Sequence, residues 1–383
     1  MAEVGRPVVG VVGAGQLARM MQPPAIGLDI DLRLLAARAE DCAARVIPAT
    51  VVGDERGLVE LQEFAEGLDV LTFDHEHVPT DHLRALEAAG ASVRPGPHAL
   101  PYATDKAVMR RGLRRAGVPG PRFAVIERLD DLSGAVESVG GWPVVLKASR
   151  GGYDGRGVWV AGAIEDAVEA FASGVPVVVE ERVPFVRELA AVVARSPSGQ
   201  AVAYPVVESV QRDGVCVEVV APAPGLSEQT STAAQSLALH VAATLDVVGV
   251  LAVELFELAS GAVLVNELAM RPHNTGHWTI DAAATSQFEN HLRAVLDLPL
   301  GSPRLLAPAA VMVNILGGAL PDPHAALPHV QSRDPGVRVH LYGKQVRPGR
   351  KIGHVTVLGR DVADLLARAR RAANDISNGV VHE

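Results

Sequence analysis

The segment Val8-Val9-Gly10-Val11-Val12, followed by Gly13-Ala14-Gly15-Gln16 and a helix-spaced run from Leu17, constrains the fold more than any other stretch. Five residues with no polar face make a strand buried on both sides, as in a parallel sheet. A glycine turn and a helix directly after it complete a βα unit, which Pro23-Pro24 should stop or delay. Strand-like residues 30–35 and 70–73 and the helical spacing of 80–89 continue the alternation, so the first hundred residues read as a doubly wound sheet.

Gly13-x-Gly15-x-x-Ala18 also fits a dinucleotide turn, in which glycines let backbone approach a phosphate at a helix N-terminus. A redox site would need an acidic residue closing the second strand to hold a ribose, and that strand ends in Leu35-Ala36-Ala37-Arg38. A turn that binds no dinucleotide and an NADP-dependent oxidoreductase using Gly13, Gly15 and Arg38 both remain open.

A chain of 383 residues exceeds one ordinary core. Arg94-Pro95-Gly96-Pro97 and a Pro-bearing stretch near 300–308 suggest divisions at 1–97, 98–305 and 306–383. The middle reads as α+β, with a helix over 105–116, strands at 144–147, 158–160, 177–181, 189–194, 202–207, 248–255 and 263–266, and a long helix over 228–245. Strands at 311–315, 337–341 and 354–357 and a helix over 362–373 form a small C-terminal cap. The fold class is therefore mixed α/β and α+β.

A net charge of -9 argues against a nucleic-acid partner, while local positive clusters can still hold a small anion. Cys42 and Cys216 are far apart in sequence and suggest neither a disulfide framework nor a zinc site. The chain has no signal-peptide pattern and no run of about 18 apolar residues, so no membrane partner and a cytoplasmic location are expected.

Three further segments carry chemistry. In Lys147-Ala148-Ser149-Arg150-Gly151-Gly152-Tyr153-Asp154-Gly155-Arg156-Gly157-Val158, glycines turn between two strands. Their backbone N–H groups can cover phosphate oxygens while Lys147 supplies a compact positive charge. A plain glycine-rich hairpin is the alternative.

Strands around 250–257 and 263–267, joined near Ala259-Ser260-Gly261, embed Glu254 and Glu267 among apolar residues, where an unpaired carboxylate is costly. A magnesium ion held by Glu254, Asn266 and Glu267 together with substrate phosphates would offset that cost. Otherwise a glutamate caps a strand or pairs with an arginine, and Glu257 reads as such a solvated residue. Downstream, Met270-Arg271-Pro272-His273-Asn274-Thr275-Gly276-His277-Trp278 suits a polar planar ligand. Lys344-Gln345-Val346-Arg347-Pro348-Gly349-Arg350-Lys351 suits a phosphomonoester or is merely solvated.

Taken in order, these motifs resemble the ATP-grasp superfamily and, within it, the N5-carboxyaminoimidazole ribonucleotide synthase family. The resemblance runs from Gly13-Ala14-Gly15-Gln16-Leu17 to His354. It implies a Rossmann-like N-terminal domain, a central ATP-grasp domain and a small C-terminal β-rich domain. It also implies that ATP phosphorylates bicarbonate and that the amine of 5-aminoimidazole ribonucleotide captures the activated carbon, with ADP and phosphate released.

Position by position, the resemblance puts Lys106 and Lys147 on ATP phosphates and the flap Gly152, Tyr153, Asp154, Gly155, Arg156 and Gly157 over them. Glu180, Glu181, Arg182 and Val183 would meet adenine through backbone groups, with Glu188 on the ribose. Asn266 and Glu267 would also meet the nucleotide, and Glu254 and Glu267 would hold Mg2+ or Mn2+. Gln211 stands where several relatives carry a His near the nucleotide. Gln16, Leu17, Glu76, Tyr153, Asp154, Arg156, His273 and Asn274 would face the imidazole ribonucleotide, with Lys344, Arg350 and Lys351 near its phosphate. Arg271 would stabilise carboxyphosphate, and Asp154 would orient or deprotonate the amine.

Two departures from the family pattern are Ala18, where a glycine is common, and Phe73-Asp74-His75-Glu76-His77 in place of aromatic-Glu-Phe-Glu. A homodimer is expected from the resemblance alone. A formate-using glycinamide ribonucleotide transformylase and a catalytically silent nucleotide-binding protein are the remaining alternatives.

Overall fold

The structure, a computed structural model, describes residues 5–152 and 155–380. Its N-terminal part is a parallel four-stranded sheet in the order Thr50–Val52, Asp31–Ala36, Val8–Val12, Val70–Phe73. Val8–Val12 lies between two partners with Val9, Val11 and Val12 fully buried, as its lack of a polar face requires.

The helix Gln16–Gly27 does not stop at Pro23-Pro24 but runs through both. Proline's fixed φ is itself helical. The hydrogen bonds lost there are offset by burial of Met20, Met21 and Ala25 in the core.

The central region contributes a four-stranded antiparallel sheet in the order Phe123–Ile126, Val177–Glu181, Val144–Ala148, Val158–Ala161. Beside it lies a nine-stranded antiparallel sheet. Its main path is Val263–Ala269, Gly249–Leu258, Phe185–Arg195, Val207–Arg212, Val215–Ala221, Ala309–Leu316, Lys351–Gly359, Arg338–Leu341, with Ala201–Ala203 paired to Phe185–Arg195. Because Val215–Ala221 pairs with Ala309–Leu316, the hydrogen-bond ladder crosses the Pro-bearing connection near 300–308.

The single strand expected over 202–207 is absent. Instead the chain breaks after Ala201–Ala203 and re-enters as the hairpin Val207–Arg212/Val215–Ala221. Pro205 withholds an N–H at the break. Tyr204 N still donates to Val192 O at 2.9 Å, but its carbonyl accepts from Gln235 Nε2 at 2.9 Å, and its buried hydroxyl donates to Thr285 O at 2.9 Å and accepts from Asn290 Nδ2 at 2.8 Å.

Other elements follow local signals. Asp105 caps Lys106–Arg115 by accepting from the N–H groups of Ala107 and Val108 at 2.9 and 3.0 Å. The long helices Glu228–Thr244 and Val362–Asn378 lie where the spacing predicts them. The helix Gln287–Val295, which the reading above lacks, buries Phe288, Leu292 and Val295 in the same core as Val9, Val11 and Leu34. It thereby fastens the central region to the N-terminal sheet. Cys42 and Cys216 are buried and free, and no helix among the described residues is long and apolar enough to cross a membrane.

Candidate active site

Between the two antiparallel sheets, the N-terminal turn and the C-terminal loop lies a cavity of about 810 Å³. One end is a phosphate-type site built on strands. Lys147 pairs with Val158 across the hairpin, so the glycine loop between them forms a flap. Gly155 has φ +76°, and a Cβ there would lie 2.8 Å from Gly214 Cα. Only a glycine lets the flap rest against the Asp213-Gly214 turn, and all three residues line the cavity. Tyr153 and Asp154 lie outside the described residues.

Lys147 is 5% exposed. Its Nζ donates to Asn266 Oδ1 at 2.9 Å and lies 3.2 Å from Glu180 Oε2 and 4.0 Å from Glu267 Oε1. Glu180 also accepts from Arg110 Nε at 2.5 Å, while Arg110 Nη1 donates to Val265 O at 2.7 Å. Burial alone would push the Glu180 carboxyl up, but Lys147 and Arg110 together bring it down to about 2. Lys106 Nζ stands 3.3 Å from Glu267 Oε1.

Glu254 and Glu267 are direct cross-strand partners. The next pair is Leu255 with Val265, which leaves Asn266 as an extra residue in a β-bulge. Consecutive strand residues ordinarily point to opposite faces; the bulge lets both Asn266 and Glu267 line the cavity. Glu188, opposite Phe256, adds a third carboxylate on that face.

Burial, then the charges of Glu267 and Glu188, raises the Glu254 carboxyl to about 8. Burial opposes ionisation of Glu267 too, yet Lys147 and Lys106 outweigh it and lower its pKa. His273 Nε2 lies 3.5 Å from Glu254 Oε1, and burial, then Arg271 and Lys351, hold the imidazole down near 3. Two mutually repelling carboxylates beside an amide oxygen fit a hard cation. Among the described residues no group of three or more His, Cys, Asp or Glu side chains could hold a metal, so substrate phosphates and water would have to complete its shell.

Glu257 corrects one expectation. It is buried, not solvated, because its cross-strand partner is Arg187, whose Nε donates to Glu257 Oε2 at 2.5 Å.

The other end of the cavity is assembled from connections. Glu76 Oε1 accepts from Met270 N at 2.8 Å and Oε2 from Arg271 Nε at 2.9 Å, which fixes the guanidinium. Asn274 is 9% exposed, and apart from its approach to the Cys216 thiol neither amide atom has a hydrogen-bond partner among the described residues. Lys344 Nζ donates to Gln16 Oε1, and burial lowers the lysine's pKa.

The first glycine turn is filled from within. Gly15 N and Ala18 N donate to Asp74 Oδ2 and Oδ1, each at 2.8 Å. A carboxylate thus occupies the helix N-terminus where a dinucleotide phosphate would sit, which removes the ground for the oxidoreductase alternative.

Of the expected site residues, Gln16, Leu17, Glu76, Lys106, Lys147, Gly152, Gly155, Glu188, Gln211, Glu254, Asn266, Glu267, Arg271, His273, Asn274, Lys344 and Lys351 line this one cavity. Arg156, Gly157, Glu180, Glu181, Arg182, Val183 and Arg350 do not line it. The Glu180 side chain lies beneath Lys147, the Glu181 N–H and carboxylate are taken up by Arg122, and Arg350 Nη1 donates to Gln345 O at 3.2 Å.

Sequence reasoning missed Arg110, Asp74 and an apolar wall that includes Val145, Val158, Val160, Phe185 and Phe256. The Phe185 and Phe256 rings stack at 4.5 Å. Arg110 carried a signal: it shares the buried face of its helix with Met109 and Leu113, where an arginine needs an anion.

Comparison with known proteins agrees with this architecture. Residues 7–104 match the ribonucleotide synthetase preATP-grasp domain, 111–288 the ATP-grasp domain, and 310–368 the phosphoribosylaminoimidazole carboxylase C-terminal domain. The chain is 56% identical to the N5-carboxyaminoimidazole ribonucleotide synthase of Mycobacterium tuberculosis, over 97% of this chain and 88% of that protein. It is 49% identical to the enzyme of that name from Corynebacterium ammoniagenes, over 98% and 93%. Among solved structures, N5-carboxyaminoimidazole synthase from Aspergillus clavatus in complex with ADP and 5-aminoimidazole ribonucleotide superposes with a TM-score of 0.88 at 32% identity, covering 98% of this chain and 99% of that one.

Proposed function

The chain belongs to the N5-carboxyaminoimidazole ribonucleotide synthase family of ATP-grasp enzymes, and from that premise we propose how its residues divide the reaction. It is an ATP-dependent ligase of purine biosynthesis that carboxylates 5-aminoimidazole ribonucleotide. A bicarbonate oxygen attacks the γ-phosphorus, the bond to ADP breaks, and carboxyphosphate forms. The exocyclic amine nitrogen then bonds to the carboxyl carbon as the carbon–oxygen bond to phosphate breaks, and the amine gives up a proton.

The observation that carries this division is the single cavity running from Lys106, Lys147 and the flap to Arg271, Asn274 and Lys344. Lys106 and Lys147 hold the ATP phosphates while Gly152, Gly155 and Gly157 close over them. The nucleobase rests on the apolar wall with Glu181, Arg182 and Val183 at its edge, Glu188 at the ribose, and Gln211 nearby. Glu254 and Glu267 would hold Mg2+ or Mn2+, whose charge would neutralise the transferring phosphate. Arg271, held in place by Glu76, offsets the charge of carboxyphosphate.

Gln16, Leu17, His273 and Asn274 hold the imidazole ribonucleotide, with Lys344, Arg350 and Lys351 toward its phosphate. Asp154, with Tyr153 and Arg156, takes or orients the amine proton. The division at 1–97, 98–305 and 306–383, a cytoplasmic location and a homodimer complete the reading.

The test is substrate dependence. ADP release should rise with 5-aminoimidazole ribonucleotide plus bicarbonate and stay at background with glycinamide ribonucleotide plus formate; the opposite dependence would sink the assignment.

A further inference from the structure

We propose that Gln287 is a positioning residue for carboxyl transfer, acting by clamping the backbone of the loop that carries Arg271, His273 and Asn274; this rests on the functional reading above. Gln287 opens the helix Gln287–Val295 and is fully buried. Its Oε1 accepts from His273 N at 2.9 Å and its Nε2 donates to His273 O at 2.7 Å. The side-chain amide therefore pairs with one residue's N–H and C=O as a neighbouring strand would, although no strand is there.

Two more donors of Gln287 serve the residues that follow this loop. The second Nε2 hydrogen points to His277 Nδ1 at 3.1 Å, and its own N–H donates to Thr279 Oγ1 at 2.9 Å. Thr279 Oγ1 in turn donates to Gly276 O at 2.5 Å. Gly276 is what lets the amide in, because a Cβ there would lie 2.4 Å from Gln287 Oε1.

Loop and clamp are then tied to a rigid base. The helix that begins at Gln287 sends Phe288, Leu292 and Val295 into the core beneath the N-terminal parallel sheet, whose first helix opens with Gln16 and Leu17. The acceptor-side residues of two regions thus share one anchor. Gln287 does not line the cavity, so it works through His273 and its neighbours and touches no substrate.

The clamp needs one acceptor and one donor side by side. Gln287→Met keeps the length and removes both, leaving the His273 N–H without its partner and the His273 C=O with the Gly276 N–H alone. Gln287→Glu keeps both only in its protonated form, since the acid's O–H can replace the amide N–H while the ionised form faces a carbonyl oxygen.

With wild-type carboxylation as the reference, Gln287→Met should raise KM for 5-aminoimidazole ribonucleotide about tenfold or more, with KM for ATP within about twofold, because small misplacements of reacting groups are expensive. It should also release more ADP than carboxylated product. The activity of Gln287→Glu relative to wild type should climb as pH falls from about 8 to 6, in the direction of carboxyl protonation. A flat ratio, or equal changes in the two KM values, overturns the proposal. If Gln287→Met does not fold, the pH dependence of Gln287→Glu decides alone. Failure of the wild-type chain to carboxylate this acceptor would instead overturn the functional reading.

Discussion

The two ends of the cavity are built by different means. At the phosphate end, Lys147, Glu180, Asn266 and Glu267 sit on strands and Arg110 on a helix, and charges meet one another at 2.5 to 4.0 Å. At the acceptor end, Glu76 and Lys344 come from loops, Gln16 from the first residue of a helix and Asn274 from a single 3-10 turn, and the Asn274 amide is left open. Regular structure holds the chemistry of ATP activation in a fixed lattice of ion pairs. Connections and helix starts carry the groups that choose what is carboxylated, where a change in one loop need not disturb the sheet.

The sharpest way to break that comparison is Glu267→Gln. Loss of a metal-type carboxylate should cut magnesium-dependent ADP formation by about 10³-fold or more, with the thermal transition retained. Wild-type turnover in that variant would remove the carboxylate pair from the phosphate chemistry.

Next in size is the stability held at the phosphate end. The folded-state pKa of Glu180, about 2, lies below the ordinary 4.5, so its stabilisation is fully present above about 4.5 and is lost as pH falls toward 2. Glu180→Gln should flatten that acid limb in urea unfolding and cost about 3 kcal/mol at pH 7, since Lys147 and Arg110 lose their buried partner. Parallel pH profiles for the two proteins would show that the ion pairs do not hold this end together.

The smallest effect is expected at the open amide. Asn274→Ala should raise KM for the acceptor about tenfold and leave KM for ATP unchanged. Equal shifts in both would erase the division between the two ends.

Much of this was legible because the determining signals are local. An unbroken apolar run marks Val8–Val12, and apolar residues around Glu254 and Glu267 mark a hairpin with carboxylates that need a counter-charge. The hairpin Val207–Arg212/Val215–Ala221 was not legible, because the break follows Tyr204, whose carbonyl is taken by Gln235 and whose hydroxyl is held by Thr285 and Asn290, all distant in sequence. Glu257 was misjudged for the same reason, its partner Arg187 being a neighbour only in the folded sheet.

The sequence by itself determined a leading βα unit, a glycine flap after Lys147 and a paired-carboxylate hairpin, since periodicity and turn chemistry are properties of consecutive residues. Only the tertiary structure decided that a bulge turns both Asn266 and Glu267 into the cavity, that Asp74 fills the first glycine turn, and that Gln287 clamps His273. Those outcomes depend on register and on which distant groups must satisfy one another once water is excluded, and neither is written in any single stretch of chain.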